Sequence, residues 1–183
     1  VKPIILASAS PRRKEILEKY NIPFVVEVSN ADEDCTGLTP KDLVMELSLR
    51  KADAVYKNHP KDIVIGADTV VAIDNKILGK PEDDEEAYMM IDMLQGTSHQ
   101  VHTGVTICSP NGQYSFAEKT NVFVKRMSKK EIEDYIATGE GRDKAGSYAI
   151  QGIFGKYIEK YEGDYDNVVG LPGKRVKEEL LKL

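Results

Sequence analysis

The feature that most limits what this chain can fold into is a four-residue apolar run that stops at a serine–proline helix start. Ile4-Ile5-Leu6-Ala7 is the right length for a buried strand and too short for a buried helix. Ser10 then suits an N-cap, and Pro11 suits the first helical position, where its missing N–H costs nothing. The pattern predicts a strand, a short turn and a helix to Tyr20, with Ile16, Leu17 and Tyr20 as its apolar stripe.

The alternation continues. Phe24-Val25-Val26 reads as a strand, 30–34 as an acidic loop, and Pro40 to about Tyr56 as a helix with Val44, Leu47 and Val55 on one face. Ile63-Val64-Ile65 reads as a buried strand, and Asp74-Asn75 as a hairpin turn leading to Ile77-Leu78. Glu82 to Leu94 is an amphipathic helix, and Gln100–Cys108 and Tyr114–Lys125 form a long hairpin across Pro110-Asn111-Gly112. Ser128 opens a helix to Ala137, with Glu131 completing a capping box. Short strands are predicted near Ser147–Ile150 and Phe154–Ile158, and a helix from Pro172 to the end. The expected class is α/β: a mixed twisted sheet with flanking helices, two lobes around a central cleft, in a single domain over residues 1–183.

Composition narrows the function. A net charge of −5 has the wrong sign for a domain that grips nucleic acid through phosphate neutralisation, whereas a small anion needs only a local cationic pocket. Cys35 and Cys108 are too few and badly spaced for a disulfide framework or a zinc site. His99 and His102 lie three apart in a β-segment, which points them to opposite faces and away from a shared metal. No apolar stretch approaches the roughly 20 residues of a membrane span. Val1-Lys2-Pro3-Ile4 runs into a strand rather than a signal peptide, so a reducing cytoplasm is the expected compartment.

Several segments carry more polar chemistry than folding requires. In Ser8-Ala9-Ser10-Pro11-Arg12-Arg13-Lys14, three cations crowd a helix start where the dipole disfavours them. A polyphosphate bound to the N–H groups, serine hydroxyls and guanidinium forks would remove that conflict; a solvated basic helix start is the plainer alternative. The GxxxxGK[ST] spacing of a Walker loop is absent. Asp68 follows the buried Ile63–Ile65 run, where α/β enzymes place ligands, with Gly66 and Ala67 leaving room beside it. It also reads as a turn aspartate. Lys80, fixed in direction by Pro81, and Lys51, on the apolar stripe of its helix, are further cations that either contact a ligand or are solvated. Glu33 has no assignable role alone; with Asp68 it would offer the oxygen ligands that Mg²⁺ prefers. Gln151, between Ile150 and Gly152, can donate and accept, as the edge of uracil or thymine requires, and it also suits a solvated edge strand.

Taken in order, LASASPRRKEIL, VSNADED, IVIGADTVV, LGKP, HQVHTGV, DKAGSYAIQG and GDYDNVVGLP closely resemble the Maf family of nucleotide pyrophosphatases. The resemblance implies a mixed α/β structure with a cleft between two lobes, a homodimer, and metal-dependent hydrolysis of a nucleoside triphosphate to monophosphate and pyrophosphate, with Mg²⁺ or Mn²⁺ as the metal. It implies Asp68 as the proton acceptor and Arg12, Thr69 and Gln151 as positions of substrate choice. Arg13, Glu33, Lys51 and Lys80 match its phosphate and metal site; the residues themselves add Ser8 and Ser10 as binding positions and Glu33 and Asp68 as metal ligands. The AIQG form resembles the branch acting on dTTP and UTP rather than on 7-methylated GTP. A house-cleaning role in the nucleotide pool follows; the rival is a cell-division regulator that binds nucleotide without turnover.

Overall fold

The chain was described in a computed structural model covering residues 2–183, so Val1, expected to lead into the first strand, lies outside the described residues. The elements are β1 (Ile4–Leu6), α1 (Pro11–Lys19), β2 (Phe24–Val26), α2 (Pro40–Tyr56), β3 (Val64–Ile73), β4 (Lys76–Leu78), α3 (Asp84–Leu94), β5 (Ser98–Ser109), β6 (Gly112–Val124), α4 (Lys129–Ala137), β7 (Ile158–Glu162), α5 (Tyr165–Val169) and α6 (Gly173–Leu180). The fold is α/β, with strands in the order β2-β1-β3-β5-β6-β7 and β4 paired with β3. The sheet is mixed: β1 runs parallel to β2 and β3, while β4 is antiparallel to β3 and β7 to β6. Parallel neighbours need long crossovers, and α1 and α2 supply them. Among the described residues no helix is long and apolar enough to cross a membrane.

The contacts divide the chain into two compact units. The first holds the residues up to Thr69 together with Thr103–Glu118 and Gly170–Leu183. Its core groups Ile5, Ala7, Ala52, Val55, Val64 and Cys108, and burial pushes the Cys108 thiol up to about 11. Ser10 caps α1 as the sequence predicts, Thr39 caps α2, and each is followed by a proline in the first turn.

Helix α2 lies unusually close to the sheet. A Cβ on Gly66 would stand 2.4 Å from the Ser48 carbonyl oxygen and 2.6 Å from the Ala52 nitrogen, and one on Gly104 would stand 2.2 Å from the Val44 carbonyl oxygen. Gly66 was expected to make room for a ligand beside Asp68; it makes room for the backbone of α2 instead. Ser48 Oγ, buried at this contact, is matched by Thr106 Oγ1 at 2.9 Å.

The second unit holds Val70–His102 and Lys119–Val169. Asp74 and Asn75 take φ of 48° and 63°, the turn that brings β4 back on β3 in the register Val71↔Leu78. Asp83 caps α3, and α4 carries the full Ser128–Glu131 capping box. Phe154 is fully buried, with ring centres 5.0 Å from Tyr135 and 4.9 Å from Tyr148.

Two expectations fail in this unit, and one short helix goes unread in the sequence. The segment expected as a strand at Ser147–Ile150 is a 3₁₀ turn at Ala145–Ser147 followed by irregular chain, because Gly146 and Ser147 take φ of 69° and 65°. The strand expected at Phe154–Ile158 is a 3₁₀ turn at Ile153–Tyr157, and the strand proper follows as β7. α5, five residues in GDYDNVVGLP, has too little periodicity to register as a helix.

Candidate active site

Strand β1 stops at Leu6 while its parallel neighbour β3 continues well past Ile65. Asp68 was expected just after a strand. It lies instead inside β3, beyond the carboxyl end of β1, where a stretch of strand is left without its neighbour. Side chains alternate along β3, so Asp68 turns to the α2 side with Gly66, and Thr69 turns the other way.

On the α2 side a charged cluster forms. Lys51 precedes Ala52, whose backbone rests on Gly66, and this close seating brings its amine to the strand. Lys51 Nζ donates to Asp68 Oδ1 at 2.9 Å and to the Ala67 carbonyl at 3.4 Å, and it pairs with Glu33 Oε1 at 3.0 Å. The Lys51 and Asp68 side chains are 16% and 14% exposed, so this contact is shielded from bulk water; Glu33 is 60% exposed and closes it from outside. Lys51 therefore does not extend into solvent, and two of its three contacts hold the two carboxylates.

On the other side Arg13 gathers polar groups from the turn before α1, from β3 and from the chain before α6. Its Nε donates to the Gly170 carbonyl at 2.8 Å, one terminal nitrogen to Ser8 Oγ at 3.1 Å and the other to Thr69 Oγ1 at 3.1 Å. Those bonds use three of the five N–H groups of a guanidinium. Thr69 Oγ1 also lies 2.8 Å from Thr103 Oγ1, and Ser8 Oγ accepts the Ser10 N–H at 3.2 Å. Burial lowers the Arg13 guanidinium from its ordinary value, Asp68 pulls against that, Arg12 adds to it and Glu33 opposes it. These charges thus lie within electrostatic reach of one another. Ser10 does the capping work expected of it, accepting the Arg13 N–H at 3.4 Å.

Lys80 and Gln151 belong to the second unit, and both are exposed. Their segments are tied together there, since the Gly79 carbonyl accepts the Gly146 N–H at 3.1 Å. Gln151 is the third residue of a turn closed by the Gly152 N–H on the Ala149 carbonyl at 3.1 Å. Tyr148 just before it shares a buried 2.6 Å hydrogen bond with His99 Nε2.

Asp68 and Glu33 are the residues expected to hold a divalent cation, and the structure brings both to the Lys51 amine. The point on which the two carboxylates converge is the amine itself, which each meets through one oxygen. Among the described residues no group of three or more His, Cys, Asp or Glu side chains could hold a metal. Two carboxylates completed by water and substrate phosphate oxygens is the arrangement Mg²⁺ favours.

Sequence reasoning missed Thr103 and the Gly170 carbonyl, both partners of the Arg13–Thr69 pair, though each lies in a quoted motif. It also missed Glu140, whose carboxylate accepts from the backbone just after Gln151.

Residues 3–183 match the profile of the family described as Maf-like protein. A dTTP/UTP pyrophosphatase of a Geobacillus species is 50% identical, covering 100% of this chain and 99% of its own length. Relatives of the same name from Bacillus cytotoxicus and Agathobacter rectalis are each 48% identical, covering 98% of this chain and 95% and 97% of their own lengths. A solved nucleoside-triphosphatase / dITP/XTP pyrophosphatase of Mycobacterium abscessus aligns at a TM-score of 0.48 and 15% identity over 69% of this chain and 76% of its own, too distant to inform the site.

Proposed function

The chain belongs to the Maf-like protein family, and from that premise we propose that it hydrolyses pyrimidine nucleoside triphosphates, dTTP and UTP foremost, at the α–β bond to release the monophosphate and pyrophosphate. The name shared by relatives at 48–50% identity over the full length supports the substrate. The observation that carries the chemistry is the Lys51 amine held between Asp68 at 2.9 Å and Glu33 at 3.0 Å.

Attack of water on the α-phosphorus requires a proton acceptor, positioned charge and a leaving group relieved of its own charge. Asp68 accepts the proton. Lys51 keeps that carboxylate aimed and offsets its charge. Arg13 keeps two N–H groups beyond those that tether it, and these, with the α1 N-terminus and Arg12, bind phosphate oxygens. Thr69 ties the Arg13 fork to β3. A divalent ion, Mg²⁺ or Mn²⁺, held by Asp68 and Glu33 would supply further neutralisation of phosphate charge. In the second unit, Lys80 is assigned to phosphate and Gln151 to the base edge. A homodimer in the cytoplasm, clearing the nucleotide pool, completes the reading.

The test is a panel of common and modified nucleoside triphosphates with Mg²⁺ or Mn²⁺, read for products. dTTP and UTP should lead, giving monophosphate and pyrophosphate. Diphosphate and orthophosphate would place the cleavage at the other bond and overturn the mechanism, while a preference for 7-methyl-GTP would overturn the substrate alone. Sedimentation of the purified protein checks the dimer.

A further inference from the structure

Resting on the reading that Gln151 selects the base, we propose that Glu140 is a positioning residue for that selection: its carboxylate grips the backbone after Gln151 and sets the direction in which the carboxamide points. Glu140 lies three residues past the end of α4. Its Oε1 accepts the Ile153 N–H at 2.7 Å, and its Oε2 accepts the Phe154 N–H at 3.2 Å and the Tyr135 O–H at 2.9 Å. Three donors thus converge on one carboxylate, two of them from the backbone immediately following the Gln151 turn. Bonds to an ionised acceptor are about twice as strong as neutral ones and more directional. Burial foremost, and then the Glu140 carboxylate, raise the Tyr135 phenol well above its ordinary value, so it remains a donor.

The grip is closed by the absence of a side chain. A Cβ on Gly152 would lie 1.9 Å from Glu140 Oε1, so the turn rests directly on the carboxylate. Glu140 is itself tied down, since Lys144 Nζ donates to its backbone carbonyl at 3.2 Å. The other end of the turn is anchored by the Tyr148–His99 hydrogen bond, and Phe154 packs between the rings of Tyr148 and Tyr135. Gln151, exposed at the crest, takes its orientation from these fixed ends. Replacing the carboxylate leaves the ring packing in place and removes only the directional bonds, so base choice should suffer more than stability.

The measurement is the ratio of kcat/KM for dTTP over dCTP, which does not depend on what fraction of a preparation is folded. Glu140→Gln keeps the shape and turns one acceptor into a donor facing a donor. We expect it to compress the ratio by about tenfold, with the larger change in KM for dTTP. Tyr135→Phe, which keeps the ring against Phe154 and deletes one of the three bonds, should compress it by about two- to threefold. An unchanged ratio with a lowered thermal midpoint in both variants would make Glu140 a structural residue and overturn the proposal. Gln151→Ala, run alongside, separates the two claims. If it compresses the ratio and Glu140→Gln does not, the positioning role alone falls. If the wild-type protein shows no preference between the two nucleotides, base selection itself falls, and this role with it.

Discussion

Asp68 lies on a ten-residue strand, with α2 seated on the bare backbone beside it, whereas Gln151 lies on a short turn shaped by side chains from α4, β5 and the loop after α4. The first arrangement leaves little freedom: a carboxylate on a pleated strand can point only to one face. The second is adjustable, since exchanging one anchoring side chain re-aims the turn while the sheet stays as it is. A group that moves a proton needs the first kind of support, and a group that chooses among bases is better served by the second.

The hardest way to break this comparison is Asp68→Asn. The shape stays and the proton acceptor goes, so kcat at saturating dTTP and metal should fall by about 10² to 10⁴. Lys51 keeps an acceptor in the amide oxygen but loses the negative charge it pairs with, so unfolding free energy should drop by about 1–2 kcal/mol, readable in the denaturant midpoint. A variant with near-wild-type kcat would remove Asp68 as the acceptor.

The next effect belongs to the second unit and is one of stability. Burial lowers His99 to about 4. The unfolded chain takes up that proton from its ordinary value of about 6.5, and the folded protein only near 4. The stability held by neutral His99 is therefore complete above about pH 6.5, declines as pH falls, and is fully lost near pH 4, a change of about 3 kcal/mol. His99→Gln should flatten that part of a stability-against-pH curve; a slope unchanged by the substitution would assign it to other groups.

Arg13→Lys sharpens the comparison within the first unit. A lysine keeps the charge and loses the fork that reaches Gly170, Ser8 and Thr69 together, so kcat/KM should fall by about 2 kcal/mol worth, near thirtyfold. Equal turnover in the two proteins would show that charge alone suffices there. The smallest effect expected is that of Gln151→Ala on the dTTP-to-dCTP ratio, about tenfold, with kcat for dTTP reduced less. A reduced rate on both substrates at an unchanged ratio would move Gln151 from recognition to chemistry.

The same contrast explains what the sequence disclosed. β1, α1, α2, α3 and α4 are readable because periodicity and caps agree, and Lys51 stands out because it interrupts an apolar stripe. β3 reads only as far as Ile65, because Gly-Ala-Asp-Thr carries no apolar alternation and the strand persists through contacts with its neighbours. The 145–157 segment misreads because its small and aromatic residues favour strands locally, while left-handed backbone at Gly146 and Ser147 and side-chain acceptors set its course. Glu140 left no local signal, since its backbone partners lie 13 and 14 residues away.

The seating of α2 on Gly66 and Gly104 bears on how a mutational survey of this protein should be interpreted. Any side chain at either position must push the helix outward, and the first functional group displaced would be Lys51, whose amine donates to the Asp68 carboxylate. Such variants would score as losses of activity in a screen and be mistaken for changes in the machinery itself. A survey that recorded abundance beside activity would find these glycines behaving as spacers, tolerated by folding at some cost and silent in chemistry until the distance they keep is altered.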